Sequence, residues 1–252
     1  MLFALDIGNT NIKSALFEGD TLIDFKVHSD SDVLKNYLNS ISLTKVLISS
    51  VNRNSESEIL EQFHKKNIPV FRASIRNKFN FDIAYETPQT LGIDRICSAV
   101  GAFNSALKDK LLDIDLYLVT IDFGTATTIN VVSPDKKFIG GLIAPGITTM
   151  LKALNEKTAQ LPLPGLNSYK GIIGTSTNSS ILSGVVTATK GMINETASYL
   201  KSKSKVSPLI FATGGNAKFV LPYLDIKIIY DEALVLKGLK TIYDLNKSGD
   251  RS

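Results

Sequence analysis

The chain has 252 residues, 44% of them hydrophobic and 21% charged. That balance excludes a disordered or fibrous protein, and the length is enough for a sizeable core. The net charge of +4 comes from 28 Lys and Arg against 24 Asp and Glu. It is scattered rather than gathered into a basic stripe with aromatics, which argues against nucleic-acid binding. A single cysteine, Cys97, excludes an internal disulfide and a CxxC metal or redox site. The two histidines, His28 and His64, lie far apart in sequence and argue against a histidine-based zinc centre. There is no apolar run of about 20 residues and no basic, apolar leader, so the expected location is cytoplasmic, with no membrane partner.

In chain order, Leu2 to Ile7 predicts a strand, followed by a polar turn and a second strand through Phe17. Glu18-Gly19-Asp20 forms the next turn and leads into a third strand. Ser31 to Leu38 predicts a helix, Lys45 to Val51 a buried strand, Ser55 to Lys66 an amphipathic helix and Thr90 to Leu107 a longer one. A second hairpin begins at Leu116, turns at Ser133 to Lys136, and continues as a strand from Phe138 to Ile143. Thr177 to Lys201 predicts a long helix and Leu209 to Ala212 a strand. A short helix over Asn216 to Leu221, a strand over Ile226 to Ile229 and a final helix over Glu232 to Leu245 complete the series. The basic cluster Lys201, Lys203 and Lys205 reads as a solvated helix end, and Asn246 to Ser252 as a frayed tail.

The order of elements repeats. The fold expected is therefore α/β: two lobes of similar topology, residues 1–114 and 115–252, with the boundary near Asp113 to Leu116 and a cleft between them. Each lobe opens on an Asp-x-Gly at a strand end: Asp6-Ile7-Gly8 and Asp122-Phe123-Gly124. Glycine there lets backbone N–H groups approach a phosphate, and Asn9, Thr10, Thr125, Thr127 and Thr128 add donors. The carboxylate would face the hydrated cation that accompanies phosphates. One such turn is common in ordinary hairpins; two of them, each carrying the acid, point to nucleotide binding. Neither GxxxxGK[ST] nor a GxGxxG after a strand occurs. Thr213-Gly214-Gly215-Asn216 reads equally as a tight strand-to-helix connection or as a further nucleotide contact.

A doubled Asp-x-Gly hairpin with a late Thr-Gly-Gly resembles the actin-like (ribonuclease H-like) ATPase and sugar-kinase superfamily. Within it, Asp6 to Lys13 is similar to the DxGNTxxK signature of type III pantothenate kinases. The likeness continues through Tyr85, Pro88, Leu91-Gly92-Ile93-Asp94-Arg95, Asp122 to Thr128, Gly140 to Gly146, Gly174 to Thr177 and Thr213 to Gly215, in the family's order over nearly the whole chain.

The resemblance implies ATP-dependent phosphorylation of pantothenate, the first step toward coenzyme A. Asp94 stands at the position of the proton acceptor. Tyr85, Gly92, Ile93, Asp94, Arg95 and Thr177 stand at substrate-contacting positions. Asp6, Ile7, Gly8, Asn9, Thr10, Asn11, Ile12, Lys13 and Thr125 match the ATP site. Asp122 matches the ligand of a monovalent cation, K⁺ or NH₄⁺, while Asp6 would face Mg²⁺ through water. A homodimer is implied too, and the apolar stretch from Ile181 to Ile193 serves either an interface or an internal core.

Plainer readings stand beside these roles. Lys13 can be an outward charge on its strand, Arg95 a solvated arginine, and Asp94 a helix-surface acid paired with Arg95; Tyr85 can simply pack its ring. Cys97 reads as core rather than catalytic. Two rival functions are another small-molecule kinase or phosphatase of the superfamily and a non-catalytic regulator that keeps the fold. The Gly92 to Arg95 element and Tyr85 argue against the first, and the retention of Asp6, Asp94 and Asp122 together argues against the second.

Overall fold

A computed structural model describes residues 1–112 and 115–247. The expected boundary at Asp113 and Ile114, and the tail from residue 248 onward, lie outside them. The chain divides into two compact units: Met1–Leu112, Asp135–Ile139 and the chain from Ala233 form the first, and residues 115–134 and 140–232 the second.

In the first unit, β1 (Leu2–Ile7), β2 (Ile12–Glu18) and β3 (Thr21–His28) are followed by α1 (Ser31–Leu38), β4 (Lys45–Ser50), α2 (Arg53–Lys65) and β5 (Val70–Arg72). The sheet order is β3-β2-β1-β4-β5. β2 pairs antiparallel with both β1 and β3, while β1, β4 and β5 run parallel. Strand β1 is central, and Phe3 to Ile7 are buried without alternation, as parallel pairing covered on both faces requires. Phe3, Leu5, Ile7, Val46 and Ile48 pack with Leu34 of α1 and with Ile59 and Phe63 of α2. Both helices start at side-chain caps: Asp30 accepts from Asp32 N and Val33 N, and Asn52 from Ser55 N. Two-residue β6 (Asp82–Ile83) and α3 (Ile93–Lys108) follow.

The second unit contains β7 (Leu118–Phe123), β8 (Ala126–Val132), the greater part of β9 (Lys137–Pro145), α4 (Ile147–Lys157), α5 (Thr177–Ser204), β10 (Leu209–Thr213), α6 (Ala217–Val220) and β11 (Ile229–Tyr230). Its strands lie in the order β9-β8-β7-β10-β11. This is the order of the first sheet, strand for strand, with an antiparallel hairpin and two parallel additions. The repeat of elements therefore reflects a repeat of topology. The start of β9 belongs to the first unit, where Lys137 and Phe138 pair with Asp82 and Ile83 of β6.

The final helix, α7 (Leu234–Asn246), departs from the expected division. It packs in the first unit, against α3, where glycines on both helices let the backbones close. A Cβ on Gly101 would strike Leu234 O, and one on Gly238 would strike Cys97 O. Helix α4 was not expected from sequence. Its first turn, Ile147-Thr148-Thr149, is β-branched and weakens the helical pattern, although Ile147 and Leu151 are buried one turn apart. Of the strand expected over Ile226 to Ile229, only Ile229 pairs, opposite Phe211, and the pairing runs on to Tyr230 opposite Ala212. On α5, Ile181, Leu182, Val185, Val186 and Ile193 are buried in the second unit's own core. That stretch therefore serves the core and is not free to form an interface.

Candidate active site

In the first unit, β1 ends at Ile7 and the chain turns over Gly8-Asn9-Thr10-Asn11, where Gly8 N donates to Asn11 O at 3.2 Å. A Cβ on Gly8 would stand 3.1 Å from that same carbonyl. Asn9, Thr10 and Asn11 are exposed, whereas Ile7 and Ile12 are buried in the core. Those two residues can offer a nucleotide only their backbone. Asp6 is itself buried, at 8% exposure. It sits opposite Lys13 on β2 and opposite Ser49 on β4, and Ser49 Oγ donates to Asp6 Oδ1 at 3.1 Å.

Asp94 lies in the first turn of α3, where the helix dipole favours a carboxylate. Its Oδ1 accepts from the Arg95 backbone N–H at 2.8 Å. The carboxylate also folds over Gly92, where a Cβ would stand 2.5 Å from Asp94 Oδ1. The close approach at this glycine is made by Asp94 itself. One turn further, Cys97 is fully buried, and its thiol is pushed well up, first by burial, then by the charges of Asp6 and Asp94, against a hydrogen bond with Ser49. Both acids therefore act on one buried thiol. Asp6 on β1 and Asp94 on α3, far apart in sequence, both lie near enough to Cys97 for their charges to raise its pKa.

Arg95 is buried rather than solvated. Its guanidinium carbon lies 5.8 Å from the ring centres of both Tyr85 and Phe138, and those rings meet edge to face at 6.2 Å. Two aromatic faces at this distance attract the guanidinium and hold the side chain beside them. Tyr85 thus packs its ring and holds Arg95 at once. Phe138 escaped the sequence reading, because a phenylalanine at a strand start reads only as core.

In the second unit the corresponding turn is tighter. Gly124 N donates to Ala126 O at 3.1 Å, and Thr125 O accepts from Gly146 N at 2.9 Å and from Thr149 Oγ1 at 2.6 Å. A Cβ on Gly146 would strike Gly124 O. Gly214 has φ +98°, and a Cβ there would meet Asp122 Oδ1 and stand 2.5 Å from Phe123 N. The Thr-Gly-Gly turn is thus a backbone requirement that lays β10 against the Asp122 turn. Asp122 Oδ1 is buried and accepts no hydrogen bond. A buried carboxylate oxygen left without a donor fits a large oxygen-seeking cation. Thr177 is exposed at the first helical position of α5, behind a capping box formed by Ser176 and Ser179.

Among the described residues no three His, Cys, Asp or Glu side chains gather as a metal cage. A Mg²⁺ ion at Asp6 would therefore depend on water and phosphate oxygens for its remaining ligands, which is how this ion is commonly held. Among the described residues no helix is long and apolar enough to cross a membrane.

The profile of the type III pantothenate kinase family matches residues 2–198. A type III pantothenate kinase from Geobacillus kaustophilus is 34% identical over 267 aligned positions, covering 98% of each chain. Among solved structures, a Campylobacter jejuni protein assigned to the Baf family of transcriptional activators superposes with a TM-score of 0.63 at 23% identity, covering 98% of this chain and 99% of that one. A Listeria monocytogenes protein assigned as an N-acetylmannosamine kinase gives a TM-score of 0.52 at 14% identity, covering 99% of both chains. The fold is that of the actin-like ATPases and sugar kinases. Within that class, the chain belongs to the type III pantothenate kinase family.

Proposed function

We propose that this chain transfers the γ-phosphoryl group of ATP to the primary hydroxyl of pantothenate, opening coenzyme A synthesis in the cytoplasm. Family membership supports the reaction. The site assignment is supported by Asp94 in the first turn of α3, where its Oδ1 accepts from Arg95 N–H, and by buried Asp6 at the end of β1, where its Oδ1 accepts from Ser49 Oγ.

Asp94 takes the proton of the acceptor hydroxyl as its oxygen bonds to phosphorus, and the bond from phosphorus to ADP breaks. Such a transition state is loose, so alignment by Asp94 counts as much as basicity. Arg95, held beside Tyr85 and Phe138, offers a fork of donors to the pantothenate carboxylate or the polar groups beside it. Gly92 and Ile93 set the helix start that carries both residues, and Thr177 supplies a further substrate hydroxyl.

The turn from Asp6 to Lys13 receives the ATP phosphates, with Thr125 a second ATP contact. Asp6 would face Mg²⁺ through water, where the ion would supply neutralisation of phosphate charge, and Asp122 would hold K⁺ or NH₄⁺. We read the assembly as a homodimer. Leu142, Ile143, Ile172 and Ile173 are exposed in the second unit, with Ile173 at 77%, and such apolar exposure suits a protein interface. No nucleic-acid or membrane partner is proposed.

A screen for transfer of radiolabelled γ-phosphate to pantothenate, a panel of sugars and water tests the reading. Product on pantothenate alone is expected, and product on a sugar but not on pantothenate would overturn it.

A further inference from the structure

The parallel neighbour of each Asp-x-Gly acid is a hydroxyl residue. Asp6 on β1 is in register with Ser49 on β4, and Asp122 on β7 with Thr213 on β10. Both hydroxyl residues are fully buried. They are used differently. Thr213 Oγ1 donates to Glu232 O at 3.3 Å, while Asp122 Oδ1 is left without a donor. Ser49 Oγ donates to Asp6 Oδ1 at 3.1 Å. A hydroxyl has one proton. Ser49 gives that proton to Asp6. Through this bond β4 holds the acid at the end of β1.

From this geometry we infer that Ser49 is a positioning residue for phosphoryl transfer: its hydroxyl fixes the rotamer of Asp6 and so aims the carboxylate toward the hydrated Mg²⁺ of the nucleotide. The inference rests on the reading that Asp6 faces Mg²⁺. The serine does not touch the nucleotide. It acts by holding an acid that is buried at the end of β1.

The test is calorimetric binding of the non-hydrolysable analogue adenylyl imidodiphosphate, with and without Mg²⁺, to wild type, Ser49→Ala, Ser49→Thr and Asp6→Asn, alongside thermal unfolding without nucleotide. Hydrogen bonds to charged groups correspond to roughly 10- to 150-fold in an equilibrium constant. Ser49→Ala should lose about tenfold or more of the affinity gain that Mg²⁺ confers, with metal-free binding unchanged, and Ser49→Thr should keep most of the gain. Should Ser49→Ala not fold, Ser49→Cys, kept reduced, has the same shape with a slightly larger atom, weakens the donor and should shift the gain in the same direction. If Asp6→Asn abolishes the gain while Ser49→Ala retains it in full, the inference is wrong. It is equally wrong if Ser49→Ala weakens binding alike with and without the metal, because that is the mark of a merely structural role. If Asp6→Asn itself retains the full gain, the reading of Asp6 fails, and the role of Ser49 falls with it.

Discussion

Asp94 owes its position to the residue two places before it. Gly92 leaves room for the carboxylate to fold back over the helix start, and a Cβ there would press on Asp94 Oδ1 at 2.5 Å. The pressed atom is the end of a side chain, so Gly92→Ala should displace the carboxylate rather than unfold the helix. We expect kcat for pantothenate phosphorylation to fall about tenfold or more, since a misplacement near 1 Å costs up to about 10², with the melting temperature changed by only a few degrees. A fully active Gly92→Ala enzyme would show that the carboxylate's folded-back position is irrelevant. At the same scale, buried His28 is hydrogen-bonded to Ser14 Oγ at 2.7 Å, and burial holds its pKa below the ordinary 6.5. Below about pH 6.5 the unfolded chain takes up a proton here that the folded chain refuses. Stability contributed by His28 is therefore complete above that pH and is lost as the pH falls toward the folded-state value. Melting temperatures read from about pH 8 to pH 5 should fall on the acid side, and more shallowly in His28→Gln; parallel curves would contradict this assignment.

The element that most shapes the first unit is the last in the chain. Helix α7 crosses α3 at Gly101 and Gly238, where Leu234 O and Cys97 O occupy the space that a Cβ would need. Since those obstacles are backbone, neither can swing aside. Gly238→Ala should cost about 1–3 kcal/mol, the usual penalty of overpacking, read as a lower denaturant midpoint with an unchanged slope. Loss of less than about 0.5 kcal/mol would mean that the helices separate easily. Lys240, also on α7, reaches Asp20 at the β2–β3 turn at 2.9 Å, so the final helix also ties down the first hairpin. The helical period of 232–245 was readable from sequence, but its place was not. Nothing in a period says which sheet a helix covers, and the complementary glycine on α3 lies more than half a chain away. Ser49 was hidden for a related reason: a serine at the end of an apolar strand acquires meaning only once parallel register sets it beside Asp6. By contrast, the strand ends at Asp6-Ile7-Gly8 and Asp122-Phe123-Gly124 were legible as a pair because a pattern common once in ordinary hairpins occurs twice.

Over the whole molecule, one strand order is used twice, each time with the acid at the end of the central strand and a hydroxyl on its parallel neighbour. The copies have diverged at that hydroxyl. Ser49 satisfies Asp6, whereas Thr213 turns to Glu232 O and leaves Asp122 Oδ1 open. An open buried carboxylate oxygen is costly unless a cation fills the site. Activity should therefore rise with K⁺ or NH₄⁺ and be low in Na⁺ alone, and Asp122→Ala should lose the response; full activity in sodium-only buffer would contradict the assignment. The most direct measurement is single-turnover transfer of the γ-phosphate of ATP to pantothenate by wild type and Asp94→Asn side by side, with ATP binding followed in the same samples. Wild type should convert bound ATP to phosphorylated pantothenate, and Asp94→Asn should bind ATP equally well yet react about 10²–10⁴ times more slowly. No transfer by the wild type, or equal rates in the two proteins, would contradict the account.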